Sequence, residues 1–189
     1  MSKVKGALFM NLAKMIRENK DKNWDKYLTD GDKQIVYESV MPNSWYPIGV
    51  YERSAYAIFM EMGDGKLESA WAWGRFLIED LGNRFYHNLV KFNDPVGSFE
   101  RCNKFLNQWL KYDDPDFVPL EVEKISDKSV KIIVRHEKKI PFFEAMVHQV
   151  AGSMERIAEL NGGKIVKAKI VETKPTKNWP EASLVVAWK

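Results

Sequence analysis

The chain has 189 residues, 45% of them apolar and 13% aromatic, with a net charge of +3. That length is enough to bury a core without a metal or disulfide. The single Cys102 excludes an internal disulfide and a multi-cysteine zinc site, and the small net charge gives no footing for a nucleic-acid partner.

The opening "MSKVKGALFMNLAKMI" is basic, but Lys14 and Arg17 break its apolar run, so it reads as neither a signal peptide nor a membrane span. The expectation is a cytoplasmic domain. Val4, Leu8, Leu12 and Ile16 recur at spacings of three and four, predicting a helix over residues 4–17. Trp24, Tyr27 and Leu28 predict a short helical turn. Asp30-Gly31-Asp32 reads as a turn, and a helix follows over residues 33–40.

"SVMPNSWYPIGVYERSAYAIF", residues 39–59, raises the first question of function: do these rings seal a core or line a pocket? Pro42 and Pro47 disfavour helix in the residues before them, making residues 41–46 a connector. Pro47 suits the first turn of a helix running to about Met62, with Ser44 or a neighbour as its cap and Trp45 and Tyr46 folding back on it. "GDG" at residues 63–65 stops that helix.

The strongest periodicity follows: Leu67, Trp71, Gly74, Ile78, Leu81, Phe85 and Leu89 predict one long buried helix. Gly74 costs such a helix about 1 kcal/mol relative to Ala, so it implies close approach of a backbone or a ligand. Gly82 marks a possible kink. "NDP" at residues 93–95 restarts the chain into a helix over residues 95–110.

After "KYDDPD" the period changes from 3.6 to 2. Val118, Leu120 and Val122, then Val130, Ile132 and Val134, predict a hairpin across the Ser126-Asp127-Lys128 turn. A helix over residues 141–160 carries Phe143, Val147, Val150, Met154 and Ile157, with Ala151-Gly152-Ser153 permitting close packing. Two more strands follow, presenting Val166, Ala168 and Ile170, then Leu184, Val186 and Trp188. Helices and strands are segregated, so the class is α+β: an N-terminal helical bundle on a C-terminal antiparallel sheet, in the order hairpin, helix, hairpin. One domain is expected, with a helical part over residues 4–112 and a sheet part over residues 117–188.

The catalytic patterns are sparse. His87, His136 and His148 offer no converging metal set, Glu144 with His148 at i+4 being the nearest approach. Cys102 lies near Arg101 and Lys104 but has no histidine close in sequence, so it is expected to be buried and inert. "GDG" and "NGG" lack the spacing of phosphate loops. The ring cluster remains. Trp73 stands off its helix's main stripe beside Gly74, so a ring and a gap are expected together, in a mostly apolar cavity.

In order and spacing, "VKGALFMNL", "SWYPIGVYERS", "WAWGRFL" and "VHQVAGSMERIAELNGGKIVKAKIVE…ASLVVAW" resemble a superfamily. It holds the four-vinyl-reductase-like domains, a bacterial family with a Trp-Tyr-Pro motif, the haem-nitric-oxide-binding domains and the TRAPP tethering subunits. The resemblance runs from Val4 to Trp188 and is nearest to the Trp-Tyr-Pro branch. It implies a helical bundle against a twisted antiparallel sheet, with a cavity that holds haem or an acyl chain in some members. Two departures follow. The last hairpin lacks the cysteines of many four-vinyl-reductase-like domains. The helix before the first hairpin, "CNKFLNQWLK", lacks the proximal histidine of the haem members, and their tyrosine-serine-arginine trio is reduced to Arg135 and His136.

The sequence-based reading is therefore a non-catalytic, homodimeric sensory or small-molecule-binding domain that needs no cofactor. Its ligand-binding residues are Trp45, Tyr46, Tyr51, Trp71, Trp73, Gly74, Phe85, Trp109 and Phe143. The alternatives are a haem-based gas sensor using His87, or His136, as ligand, and an enzyme acting on a tetrapyrrole-like substrate.

Overall fold

The computed structural model describes residues 1–84, 94–175 and 179–189, apart from the side chains of residues 103, 105, 174 and 175. The chain divides into two compact units, one of residues 1–66 and 106–115 and the other of residues 67–105 and 116–189.

The first unit opens with a strand, β1 (Lys3–Lys5), where the sequence suggests helix. Lys-Val-Lys alternates at period two, which buries Val4 completely and leaves both lysines on the other face. Helix α1 (Gly6–Glu18) then places Leu8, Phe9, Leu12, Ala13 and Ile16 in the core. Its first amides lack an intrahelical partner and no side chain caps them. The proline-rich connector does so instead: Gly6 N donates to the Ser44 carbonyl at 2.9 Å and Ala7 N to the Pro42 carbonyl at 3.0 Å. A Cβ at Gly6 would overlap the Met41 carbonyl oxygen, so this contact requires glycine.

The Asp30-Gly31-Asp32 segment forms the first turn of α2 (Asp30–Tyr37) and not a turn before it. Thr29 Oγ1 accepts the Asp32 amide at 3.2 Å, while the Asp32 carboxylate accepts the Thr29 amide at 2.9 Å. This reciprocal capping box outweighs the turn preference of glycine. A short 3-10 turn at Trp24–Lys26 precedes it. The connector ends in a second strand, β2 (Trp45–Pro47), and only then in α3 (Ile48–Glu61). Pro47 occupies the cap position and no side chain, Ser44 included, caps this helix. Trp45 and Tyr46 are thus strand residues. A two-residue strand, β3 (Leu110–Lys111), completes an antiparallel sheet of order β2-β1-β3, in which Val4 lies opposite Tyr46 and Leu110.

The second unit holds α4 (Leu67–Arg84), most of α5 (Pro95–Trp109), α6 (Phe143–Leu160) and a four-stranded sheet. The predicted extension of α4 to Leu89 lies outside the described residues. Strands β4 (Leu120–Ser126), β5 (Ser129–Arg135), β6 (Lys167–Pro175) and β7 (Pro180–Ala187) pair antiparallel in the order β4-β5-β7-β6. The α+β class and the hairpin-helix-hairpin order are as the sequence implies. Register brings Val130 opposite Val186, Ile132 opposite Leu184 and Val134 opposite Ala182, and all six are buried. Phe143 and Val147 of α6 pack on Ala182 of that face, with Ile140, Met146 and Ile170 around them.

The end of α6 is tied to the start of α5 through Asn161. Its carbonyl accepts the Asp94 amide at 3.1 Å, and its side-chain oxygen accepts from Arg101 at 3.2 Å. Among the described residues no helix is long and apolar enough to cross a membrane.

Candidate functional site

The sequence places a gap for a guest beside the rings and glycine of α4. Gly74 is buried, and a Cβ built on it would overlap the Gln149 carbonyl oxygen of α6; one built on Gly152 would overlap the Trp71 carbonyl oxygen of α4. The two glycines let the helix backbones touch, and Ser153 Oγ donates to the Gly74 carbonyl at 3.0 Å across the crossing. The gap expected beside Gly74 is therefore filled by α6 backbone. Trp73 turns the other way, its ring 5.2 Å from that of Phe76, which is half exposed.

A charged lattice flanks this crossing. Trp71 Nε1 donates to Glu155 at 3.0 Å, Arg75 donates to Glu155 at 3.2 Å and to Glu159 at 2.8 Å, and the other Glu155 oxygen accepts the Ala168 amide at 2.9 Å. Glu155 thus joins α4, α6 and β6. Burial pushes the Glu159 carboxyl up, but hydrogen bonds from Arg75 and Arg156 outweigh it and hold the group below its ordinary value. The sequence reading passed over Glu155, although Glu155 and Glu159 at i+4 on one face of α6 were the available signal. The rings of Trp71 and His148 meet edge-on at 6.0 Å, and no group of three metal-binding side chains forms among the described residues.

The remaining predicted rings are dispersed. In the first unit, Tyr46 and Tyr51 both meet Phe9 edge-on, at 5.6 and 6.3 Å, and Tyr46 Oη accepts the Met41 amide at 2.9 Å. Trp45 lies under two ammonium groups, those of Lys5 at 4.5 Å and Lys111 at 4.4 Å from its centroid. Trp109 is buried in the same unit. Phe143 is buried against the sheet of the second unit. Phe85 and His87 lie outside the described residues.

Three further residues bear on a haem. Cys102, the buried sulfur of α5, has its thiol pushed up to about 12 by burial alone, which keeps it protonated and unreactive, as expected. Arg135 stands on the sheet face opposite Val134 and is engaged by two carboxylates, Glu121 at 2.9 Å and Glu181 at 2.7 Å. His136 is buried, with Nδ1 2.7 Å from the Lys138 carbonyl oxygen. The described residues of α5 include no histidine. Neither an axial donor on α5 nor an arginine disengaged for a propionate is present among the described residues, so they do not complete a haem site.

No family model matches the sequence, and no curated protein matches it. Solved structures do, and over almost the whole chain: the fold is that of H-NOX, the haem-nitric-oxide-binding domains. A variant of the T. tengcongensis H-NOX is 12% identical with a TM-score of 0.66, covering 98% of this chain and 97% of that one. An oxygen-binding H-NOX domain related to soluble guanylate cyclases, solved as its oxygen complex, is 13% identical with a TM-score of 0.65, covering 96% and 92%. A third structure, concerned with haem redox potential and protein-induced porphyrin distortion, is 14% identical with a TM-score of 0.64, covering 97% and 99%. These neighbours correct the expectation of a domain without a cofactor, because the proteins that share its fold end to end are described as haem proteins.

Proposed function

We propose that this chain is a sensory, ligand-binding domain of the haem-nitric-oxide-binding superfamily, in the branch marked by Trp45-Tyr46-Pro47, and that haem is its ligand. The likeness in fold, running over nearly the full length of both chains, carries this reading. Haem would supply an iron that coordinates a diatomic gas. His87, on the sequence that follows the described part of α4, would be the residue to hold the iron, with His136 as the alternative. Homodimerisation and a cytoplasmic setting belong to the same proposal.

The test is spectroscopic. Protein purified from haem-supplemented cells is expected to show a Soret band that shifts when the reduced sample meets carbon monoxide or nitric oxide. A sample that carries no porphyrin and gives no gas-dependent shift overturns the assignment.

A further inference from the structure

The three-stranded sheet of the first unit presents a cationic face that the proposed haem function does not use. Lys5 is directly opposite Trp45, and Lys3 directly opposite both Pro47 and Lys111, so these five side chains share one face while Val4 points into the core from the other. Lys3 and Lys111 are exposed, and Lys5 and Trp45 are partly so. Among the described residues, no carboxylate forms an ion pair with any of the three lysines. Asp113, two residues after Lys111, pairs with the Met1 amino group. Like charges directly opposite each other in a sheet are unfavourable, so the fold bears a cost in placing Lys111 across from Lys3. Two of the three lysines are drawn onto one indole, Lys5 and Lys111 lying 4.5 and 4.4 Å from the Trp45 centroid.

We propose that this face docks an extended acidic segment of a partner protein. Lys3 and Lys5, two residues apart on a strand, are spaced about 7 Å along it, which is the spacing of carboxylates at i and i+2 in another extended chain. Lys111 lies beside Lys3 on the neighbouring strand and broadens the positive strip. The Trp45 ring carries two ammonium groups, so it is not open for stacking by a planar base; what the surface offers is regularly spaced charge over a short apolar floor of Trp45 and Pro47. The docking is independent of haem.

A fluorescently labelled octapeptide of alternating Glu and Val, titrated at low salt, tests this by anisotropy. Binding is expected, and it should weaken at least tenfold in Lys5→Glu/Lys111→Glu and by a smaller factor in Lys3→Gln/Lys5→Gln. The glutamine pair removes charge without reversing it and serves if the glutamate pair fails to fold. Raising the salt should abolish binding. Binding unchanged by either variant, or equal binding of a Lys-Val octapeptide, overturns the proposal. So does failure of the acidic peptide where anionic vesicles, or a second copy of this chain, associate in a lysine-dependent way.

Discussion

Gly74 and Gly152 stand where a methyl group would meet a carbonyl oxygen of the facing helix, so neither helix can accept a side chain there without moving apart. Gly74→Ala and Gly152→Ala are each expected to destabilise the protein by about 1–3 kcal/mol or more, the cost of overpacking against a backbone that cannot rotate away. Gly82, on the same helix α4, has nothing within 4 Å of its Cβ position among the described residues. Gly82→Ala is expected to be neutral or to stabilise by about 0.5–1 kcal/mol, because alanine propagates a helix better. Urea melts of the three variants separate the two outcomes, and equal effects at all three positions would contradict the close crossing. Cys102 supplies a second check at this scale. Buried and held as a thiol, it should resist a thiol reagent at pH 8 in the native protein and react fully once urea unfolds the chain. The Gly74 position was legible as one of close approach but not as to what approaches, because helix periodicity shows a buried face without showing what covers it.

At the scale of elements, α2 is joined to α3 by one ion pair whose acidic partner also caps its own helix. Arg53 donates to Asp32 at 2.7 and 2.6 Å, and the Asp32 side chain is 3% exposed. Burial raises the Asp32 carboxyl, but the hydrogen bonds from Arg53 and Thr29 prevail and the group lies below its ordinary value. A lowered folded-state value means that Asp32 stabilises the fold above the unfolded carboxylate range, about 4, and that this stability is lost as pH falls through the lower folded value. Glu159, lowered by Arg75 and Arg156, acts in the same direction and window. The urea midpoint should therefore be flat near neutrality and drop below about pH 4, with a shallower drop in Asp32→Asn. Arg53→Ala, which leaves the Asp32 charge buried without its bidentate donor, should cost about 2–3 kcal/mol at pH 7. Glycine between two aspartates looks like a turn locally, and only the reciprocal bonds between Thr29 and Asp32 fix it as a helix start. Thr29 and Asp32 have capping-box spacing in the sequence, but the acidic member is shorter than the usual glutamate. Likewise β1 and β2, each three residues long, are too brief for a period-two signal and exist because each supplies the other's hydrogen bonds.

For the whole molecule, the sequence made the class legible through the change of period near residue 117 and the buried alternation of Val130, Ile132, Val134 with Ala182, Leu184 and Val186. Both are short-range patterns that survive in a single chain. The ligand was not legible, for a physical reason: a site is set by which rings converge, and composition counts rings without placing them. Tyr46 and Tyr51 turned out to surround Phe9, Trp45 to lie beneath two lysines, and Trp71 to donate to Glu155. A hemin titration of the purified protein, followed by Soret absorbance alongside His87→Ala, decides the central claim. The proposal predicts a saturable band at one haem per chain that the variant loses or shifts while remaining folded. A titration indistinguishable from free hemin in buffer, or one that His87→Ala leaves unaltered, would contradict it.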